Sequence, residues 1–299
     1  MYRLYCRIIC KLRTMGWPVS DYYFLKALYF LTIGEKLNLK APRKFNEKMQ
    51  WLKLHDHNPI YHQMVDKEAV KSIVINKLGN QYVIPTLGVW DCFDDIDFNK
   101  LPNQFVLKTT NGGGGTGVVI CKDKGSFDLD NARRKLSQSM NMDIYKLMGE
   151  WAYKGVRPQI IAEKYMEDES GYELKDYKFF CFNGRCEFFK VDFDRQKNHH
   201  ANYFSKACEL VPFGEVVCPP DYNRKLEIPT NIDEMINKAE LIASSVNNAF
   251  VRVDLYNMNG HIYFGELTFY PGSGFGKFEP EEWDYKLGDL LKLPVVKHS

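Results

Sequence analysis

None of the eight cysteines pairs with another at the C-x-x-C spacing of a zinc site. A chain of 299 residues, 45% of them hydrophobic, has core enough to fold without disulfides. Reduced thiols and a cytoplasmic address are therefore expected. Net charge is also scarce: Lys+Arg number 40 against Asp+Glu 38, a balance of +2, so no global field recommends a nucleic-acid partner. No apolar run is long enough to cross a bilayer, and no repeats or low-complexity tracts occur. The opening "MYRLYCRIICKLRTMGW" spaces Arg3, Arg7, Lys11 and Arg13 roughly as a helix would, which makes a basic amphipathic helix and not a signal peptide. Such a helix either packs on the body of the protein or touches a membrane surface from the cytoplasmic side.

Residues 1–80 read as a helix-rich region, with "DYYFLKALYFLTIGEKL" and "KFNEKMQWLKLHD" as its clearest segments. From "GNQYVIP" the pattern turns to strands: "QFVLKTT" and "GVVICKD" flank a glycine run, a helix is expected from about Asp130 to Glu150, and "PQIIAEKYM" follows. Asn183-Gly184 and Asn259-Gly260 are strong hairpin signals. Between them "TNID" resembles a capping box starting at Thr230, ahead of a helix with Ile232, Met235, Ile236, Ala239, Ile242 and Val246 on one stripe. Helices mixed with antiparallel hairpins make the class α+β, divided at about residues 1–80, 81–165 and 166–299.

The glycines Gly112, Gly113, Gly114, Gly115 and Gly117, with Thr116 among them, match G-x-G-x-x-G, but a strand follows where a dinucleotide loop needs a helix. No G-K-[ST] closes a Walker loop, and neither H-R-D nor D-F-G is present. What remains is a strand–glycine–strand hairpin, either a mobile turn or a lid offering backbone N–H groups to polyphosphate. Lys108 on the strand before it supplies a positive charge.

Near the C-terminus, "RVDLY" and "GELTF" form a hairpin in which Arg252 and Asp254 share one face, as do Glu266 and Thr268. An odd number of loop residues would place Asp254 and Glu266 on the same face, opposite or diagonal. Two carboxylates so close suit Mg²⁺ on nucleotide phosphates, with Arg252 beside them; solvated acids on a surface hairpin are the plain alternative.

Together these segments resemble the ATP-grasp superfamily, and within it the TupA-like branch found with cell-surface polysaccharide genes. The likeness runs through "PRKFNEKMQWLKLHD", "DKEAVKSIVINKLGNQYVIPTLGVWD" and "FGELTFYPGSGF". It implies an ATP-grasp fold of two α+β subdomains clasping ATP, behind a helical N-terminal region. It also implies that Lys108 and Lys178 touch phosphates, that the glycine loop is the lid, and that Glu163 accepts from the adenine amino group. The backbone of Lys164, Tyr165 and Met166 would line the purine, and Glu167 or Glu169 would take the ribose. Asp254 and Glu266 match the magnesium acids, Arg252 the arginine that steadies the acyl phosphate, and Gly272 in "YPGSGF" the oxyanion turn. Thr268 stands where many members have asparagine, and a hydroxyl can ligate Mg²⁺ or hold one of its waters.

The implied activity is an ADP-forming carboxylate–amine ligation, with a sugar or polysaccharide precursor and an amino acid or amine as substrates, possible contact with membrane-bound polysaccharide machinery, and no nucleic acid. Arg195, His199, His200 and Asn202 are the candidate acceptor contacts. His199 and His200 have no third ligand at sensible spacing, which argues against zinc. A rival reading takes Asp192 and Asp194 as the D-x-D of a metal-dependent glycosyltransferase; a non-catalytic scaffold docked by its basic helix is a third.

Overall fold

In a computed structural model of the protein, residues 1–113, 115–167, 174–194 and 199–295 are described. Gly114, Glu169 and Arg195, singled out above, lie outside them. Helices occupy the first part of the chain: α1 (Tyr2–Thr14), α2 (Asp21–Ile33), α3 (Phe45–His55), α4 (Tyr61–Val65) and α5 (Ala69–Leu78). Gly34 ends α2 at φ 96°, a left-handed cap that glycine adopts without a Cβ penalty. Phe24, Leu25, Tyr29 and Leu37 bury a small core there.

A four-stranded antiparallel sheet follows, built from β1 (Thr86–Trp90), β2 (Phe105–Thr109), β3 (Val118–Cys121) and β4 (Ile160–Lys164) in the order β1-β4-β2-β3. Its core, with Phe105, Leu107, Ile160 and Ala162, also takes Ala132 and Leu136 from α6 (Leu129–Met140). The single helix expected to about Glu150 is in fact two. Asn141 ends α6, and Asp143 starts α7 (Ile144–Met148) by accepting from the Lys146 N–H at 2.8 Å, an N-cap that sets a new helix axis.

The larger sheet has six strands: β5 (Asp176–Phe182), β6 (Arg185–Phe193), β7 (His200–Ser205), β8 (Leu210–Val211), β10 (Phe250–Met258) and β11 (His261–Thr268), ordered β11-β10-β5-β6-β7-β8. Two short strands, β9 (Gly214–Glu215) and β12 (Phe278–Glu279), pair beside it. Helix α8 (Ile232–Val246) lays its whole apolar stripe on β10, β5 and β6, and α9 (Glu282–Leu290) closes the chain against α3. Asn231, not Thr230, is the α8 N-cap residue, and its side chain makes no capping bond. It reaches instead to Gly260 O and Asn257, tying the helix to the hairpin turn.

Both Asn-Gly turns have left-handed backbones at the two central residues (φ 48° and 79°; 50° and 87°), the twist that matches a two-residue hairpin. The β10–β11 loop is thus even in length, contrary to the odd count assumed from sequence. Met258 pairs with His261, and a regular ladder from there would set Gly265 opposite Asp254. A bulge instead pairs Leu255 with Phe264 and Asp254 with Glu266, leaving Gly265 as the extra residue. That one-residue shift returns the second acid to the face of the first.

Candidate functional site

Strand register brings the charged residues into one row. Glu266 pairs with Asp254, Asp254 with Lys178, Lys178 with Lys190 and Lys190 with Tyr203, so a single line across β11, β10, β5, β6 and β7 carries two acids and two lysines on one face. Asp176 and Asp192 pair with each other one step away. Asp254 receives Arg252 through Nε and Nη2, both at 2.6 Å, and Lys178 Nζ at 2.8 Å. Burial alone would raise the Asp254 carboxyl, but Arg252 and Lys178 outweigh it and hold the group below the usual carboxylate range. Lys178 also binds Asp176 and lies 3.5 Å from Asp192; burial would lower its pKa, and these acids raise it instead.

Glu266 is the open member of the row. Its oxygens stand 3.7 Å from Arg252 and 3.4 Å from Lys67, with a third of the side chain exposed. The donor set is hard oxygen throughout, with Thr268 two residues on and opposite Arg252, which fits Mg²⁺ and not a soft metal.

On the four-stranded sheet, Lys108 on β2 binds Glu163 at 2.7 Å, and the other carboxylate oxygen takes Lys71 at 2.6 Å. Burial would raise Glu163, yet Lys108 and Lys71 together hold it low. The expected adenine acceptor is therefore turned toward lysines: Glu163 positions two cations, and its carboxylate is already engaged by them. Lys71, further bonded to Ile84 O and Thr86 Oγ1, was not among the sequence candidates. Nor was Lys67, whose ammonium binds the carbonyl of Gly112 in the glycine loop while facing Glu266, so that it joins that loop to the acid row. Both lie in the quoted "DKEAVK", four residues apart across the start of α5, a spacing that signals a shared face.

In the lid, the glycines do different work. A Cβ on Gly112 would meet Thr109 Oγ1 at 2.4 Å, and one on Gly117 would meet both Thr109 Oγ1 and Ser139 Oγ at 2.3 Å, the two hydroxyls being bonded to each other at 2.7 Å. These two allow close packing at the base. Gly113 has open space and Gly115 a left-handed φ of 74°, which suits the tip, where Thr116 closes on Gly113 O at 3.0 Å.

Residues 47–292 match the model of the TupA-like ATPgrasp family. The chain belongs to that family. Similar solved structures include the D-alanine–D-alanine ligase of Bacillus anthracis complexed with ATP (17% identity, TM-score 0.43, 76% of this chain and 63% of that one). Others are the Helicobacter pylori D-alanine–D-alanine ligase (14%, 0.41, 78% and 60%) and the Staphylococcus aureus N5-carboxyaminoimidazole synthetase complexed with ADP (15%, 0.39, 84% and 51%). The chain thus spans less than two thirds of the length of these ligases. No curated protein matches it.

In this TupA-like ATP-grasp protein the turn at Pro271–Gly274 is held from the N-terminal helices. Gly272 and Ser273 both have left-handed backbones (φ 54°). Gln50 donates to Gly274 O at 2.7 Å, Lys53 donates to Ser273 O at 2.8 Å, and Ser273 Oγ donates to Glu150. Lys53 is wholly buried, and that burial pushes its pKa down to about 7 against the pull of Glu150. The helical segment "KFNEKMQWLKLHD" therefore serves to brace the turn that carries Gly272.

The remaining candidates divide. Lys164 ends β4, exposed, with its N–H on Pro85 O at 3.1 Å; Tyr165 donates to Glu167 at 2.9 Å; Met166 is half-buried between them. His200 and Asn202 bond to the loop that follows β9: His200 Nδ1 bonds Pro219 O at 2.9 Å, and the buried Asn202 amide exchanges two bonds with the Asp221 backbone. His199 lies with its Nε2 3.6 Å from Asp192. Asp192 is enclosed by Lys178 and Lys190, while Asp194 turns to Arg224 at 3.9 Å, so the D-x-D pair serves two different surroundings.

Proposed function

We propose that the protein is an ATP-dependent, ADP-forming carbon–nitrogen ligase. The γ-phosphoryl group passes to a substrate carboxylate, ADP leaves, and an amine then attacks the acyl phosphate, releasing phosphate and a proton as the amide forms. The observation that carries this reading is the row Glu266–Asp254–Lys178–Lys190 lying on one sheet face, with Lys67 linking it to the glycine lid. Two anions must be brought together for such a reaction, and fixed charges set in a buried site do that without reorganising. Lys108 and Lys178 would meet phosphate oxygens, Arg252 the carboxylate as it is phosphorylated, and the backbone near Gly272 the oxyanion. Lys164 to Met166 would line the purine, with Glu167 or Glu169 at the ribose. Asp254, Glu266 and Thr268 would hold Mg²⁺, which would supply positive charge to neutralise the phosphates. The lid, with Gly112 to Gly117, excludes water from the acyl phosphate.

The substrate reading is a uronic-acid carboxylate joined to an amine, or an amino acid joined to an amino sugar, on a cell-surface polysaccharide precursor. Its support is the branch resemblance together with α1, where Leu4, Tyr5 and Ile8 stand exposed among Arg3, Arg7 and Lys11, as a helix resting on an anionic membrane would have them. Arg13 is the exception, turned inward to Asp21. Co-sedimentation with anionic but not neutral vesicles, lost on deleting residues 1–17, is the expected result, and equal recovery without vesicles would remove the membrane contact.

Isothermal calorimetry tests the core reading. A non-hydrolysable ATP analogue with Mg²⁺ is expected to bind, and Glu266→Gln to weaken it while Asp192→Asn does so less. Binding of UDP- or GDP-sugar with Mn²⁺, lost only in Asp192→Asn, would replace the ligase with the glycosyltransferase.

A further inference from the structure

We infer that Asp192, His199 and Cys218 form a transition-metal site of the zinc type, separate from the magnesium acids Asp254 and Glu266. One ligand atom from each of the three lies within 4.8 Å of the others, although 26 positions of chain separate the first from the last. Tetrahedral zinc with bonds of about 2.0–2.3 Å spaces its donors roughly 3.3–3.8 Å apart. His199 Nε2 and Asp192 Oδ1, at 3.6 Å, already stand at that separation and are too far apart for a hydrogen bond. The His199 Nε2 atom is buried and has no hydrogen-bond partner among the described residues. The sulfur needs to close by roughly 1.3 Å at most to complete three ligands.

The surrounding fold holds these groups in place. Asp192 sits on β6 in the middle of the sheet, and the pairing of Phe193 with His200 sets His199 at the head of the next strand. Cys218 is carried by a tight turn, its N–H on Glu215 O at 3.0 Å. That turn is pinned to β7 by His200 on Pro219 and by Asn202 on Asp221. Supports of this kind orient a metal's ligands. Among the described residues Lys178 and Lys190 each lie 3.5 Å from Asp192; Lys190 also has Glu215 at 3.1 Å, and Lys178 has Asp254 at 2.8 Å.

A thiolate, an imidazole and a carboxylate together select a borderline or soft cation over magnesium. Three protein ligands leave a fourth position for water or a substrate group. Binding deprotonates Cys218 and releases that proton to solvent.

The test uses the full-length chain, stripped with chelator and titrated with Zn²⁺ alone against a competing indicator, then with Co²⁺ followed by absorption. The expected result is about one tight equivalent of zinc, and a thiolate-to-cobalt charge-transfer band present in Cys92→Ser and absent in Cys218→Ser. His199→Ala, altering a half-exposed side chain, is expected to weaken zinc by more than the ~10–100-fold that loss of a supporting residue costs, and it decides the matter if Cys218→Ser does not fold. No stoichiometric zinc, or zinc affinity unchanged in His199→Ala, would overturn the assignment.

Discussion

At the scale of the residue, Glu163 shows how a carboxylate placed by one strand governs two distant lysines. Its folded-state pKa is depressed, so in the acid range the unfolded chain binds the proton more readily than the folded one. The stabilisation from the Lys71–Glu163–Lys108 cluster is therefore complete above the unfolded value of about 4 and is lost as pH falls through the folded value. Urea unfolding across pH 2–6 is expected to show this as an acid slope that Glu163→Gln flattens. The same substitution leaves the buried Lys71 and the largely buried Lys108 without their acid and is expected to cost about 3–5 kcal/mol at pH 7. A loss below 1 kcal/mol would mean the lysines find water when Glu163 is gone.

At the scale of the element, the β10–β11 hairpin and the lid each depend on glycine for a stated reason. A Cβ at Gly265 would stand 3.0 Å from Asp254 O and 3.1 Å from the Tyr256 ring, inside the bulge that aligns the acids. Gly265→Val is expected to destabilise by about 1–3 kcal/mol through overpacking and to weaken magnesium-dependent nucleotide binding more than its stability loss explains. Unaltered magnesium dependence would show that the register survives. In the lid, Gly117→Ala must part the Thr109–Ser139 bond and is expected to cost about 1–3 kcal/mol, whereas Gly113→Ala is expected to stay within ~0.5 kcal/mol. Thermal melts of the pair would separate packing glycines from tip glycines.

At the scale of the whole molecule, side-chain contacts tie the N-terminal helices to both the small sheet and the large sheet around the proposed site. Lys53 and Gln50 of α3 brace the turn after β11, Lys67 joins the lid to Glu266, and Lys71 reaches Glu163 on β4. Ligand bound across such a site stabilises the chain as a unit. An ATP analogue with Mg²⁺ at 100 times its Kd is expected to add about 2.7 kcal/mol, a rise in Tm on the order of 5 °C, which Glu266→Gln removes. An equal rise without magnesium would contradict the placing of the metal at these acids.

The sequence alone determined what is local. Asn-Gly marked both hairpin turns because few residues tolerate two successive left-handed backbones, the α8 stripe followed from a period of 3.6, and strand alternation put Arg252 and Asp254 on one face. Even the wrong parity of the β10–β11 loop led to the right pair of acids, because a bulge that leaves only a glycine in the sequence supplied the missing residue. The tertiary structure decided what depends on pairing between distant segments. Lys178 meets Asp254, Lys71 meets Glu163, and His199 meets Asp192 and Cys218 through ladder register and loop docking, and these are set by the packing of sheets and helices over long stretches of chain. The same cause gave His200 and Asn202 backbone partners at Pro219 and Asp221: hydrogen-bonding capacity is written in a residue's type, but its partner is chosen only when the backbone it must satisfy has been folded beside it.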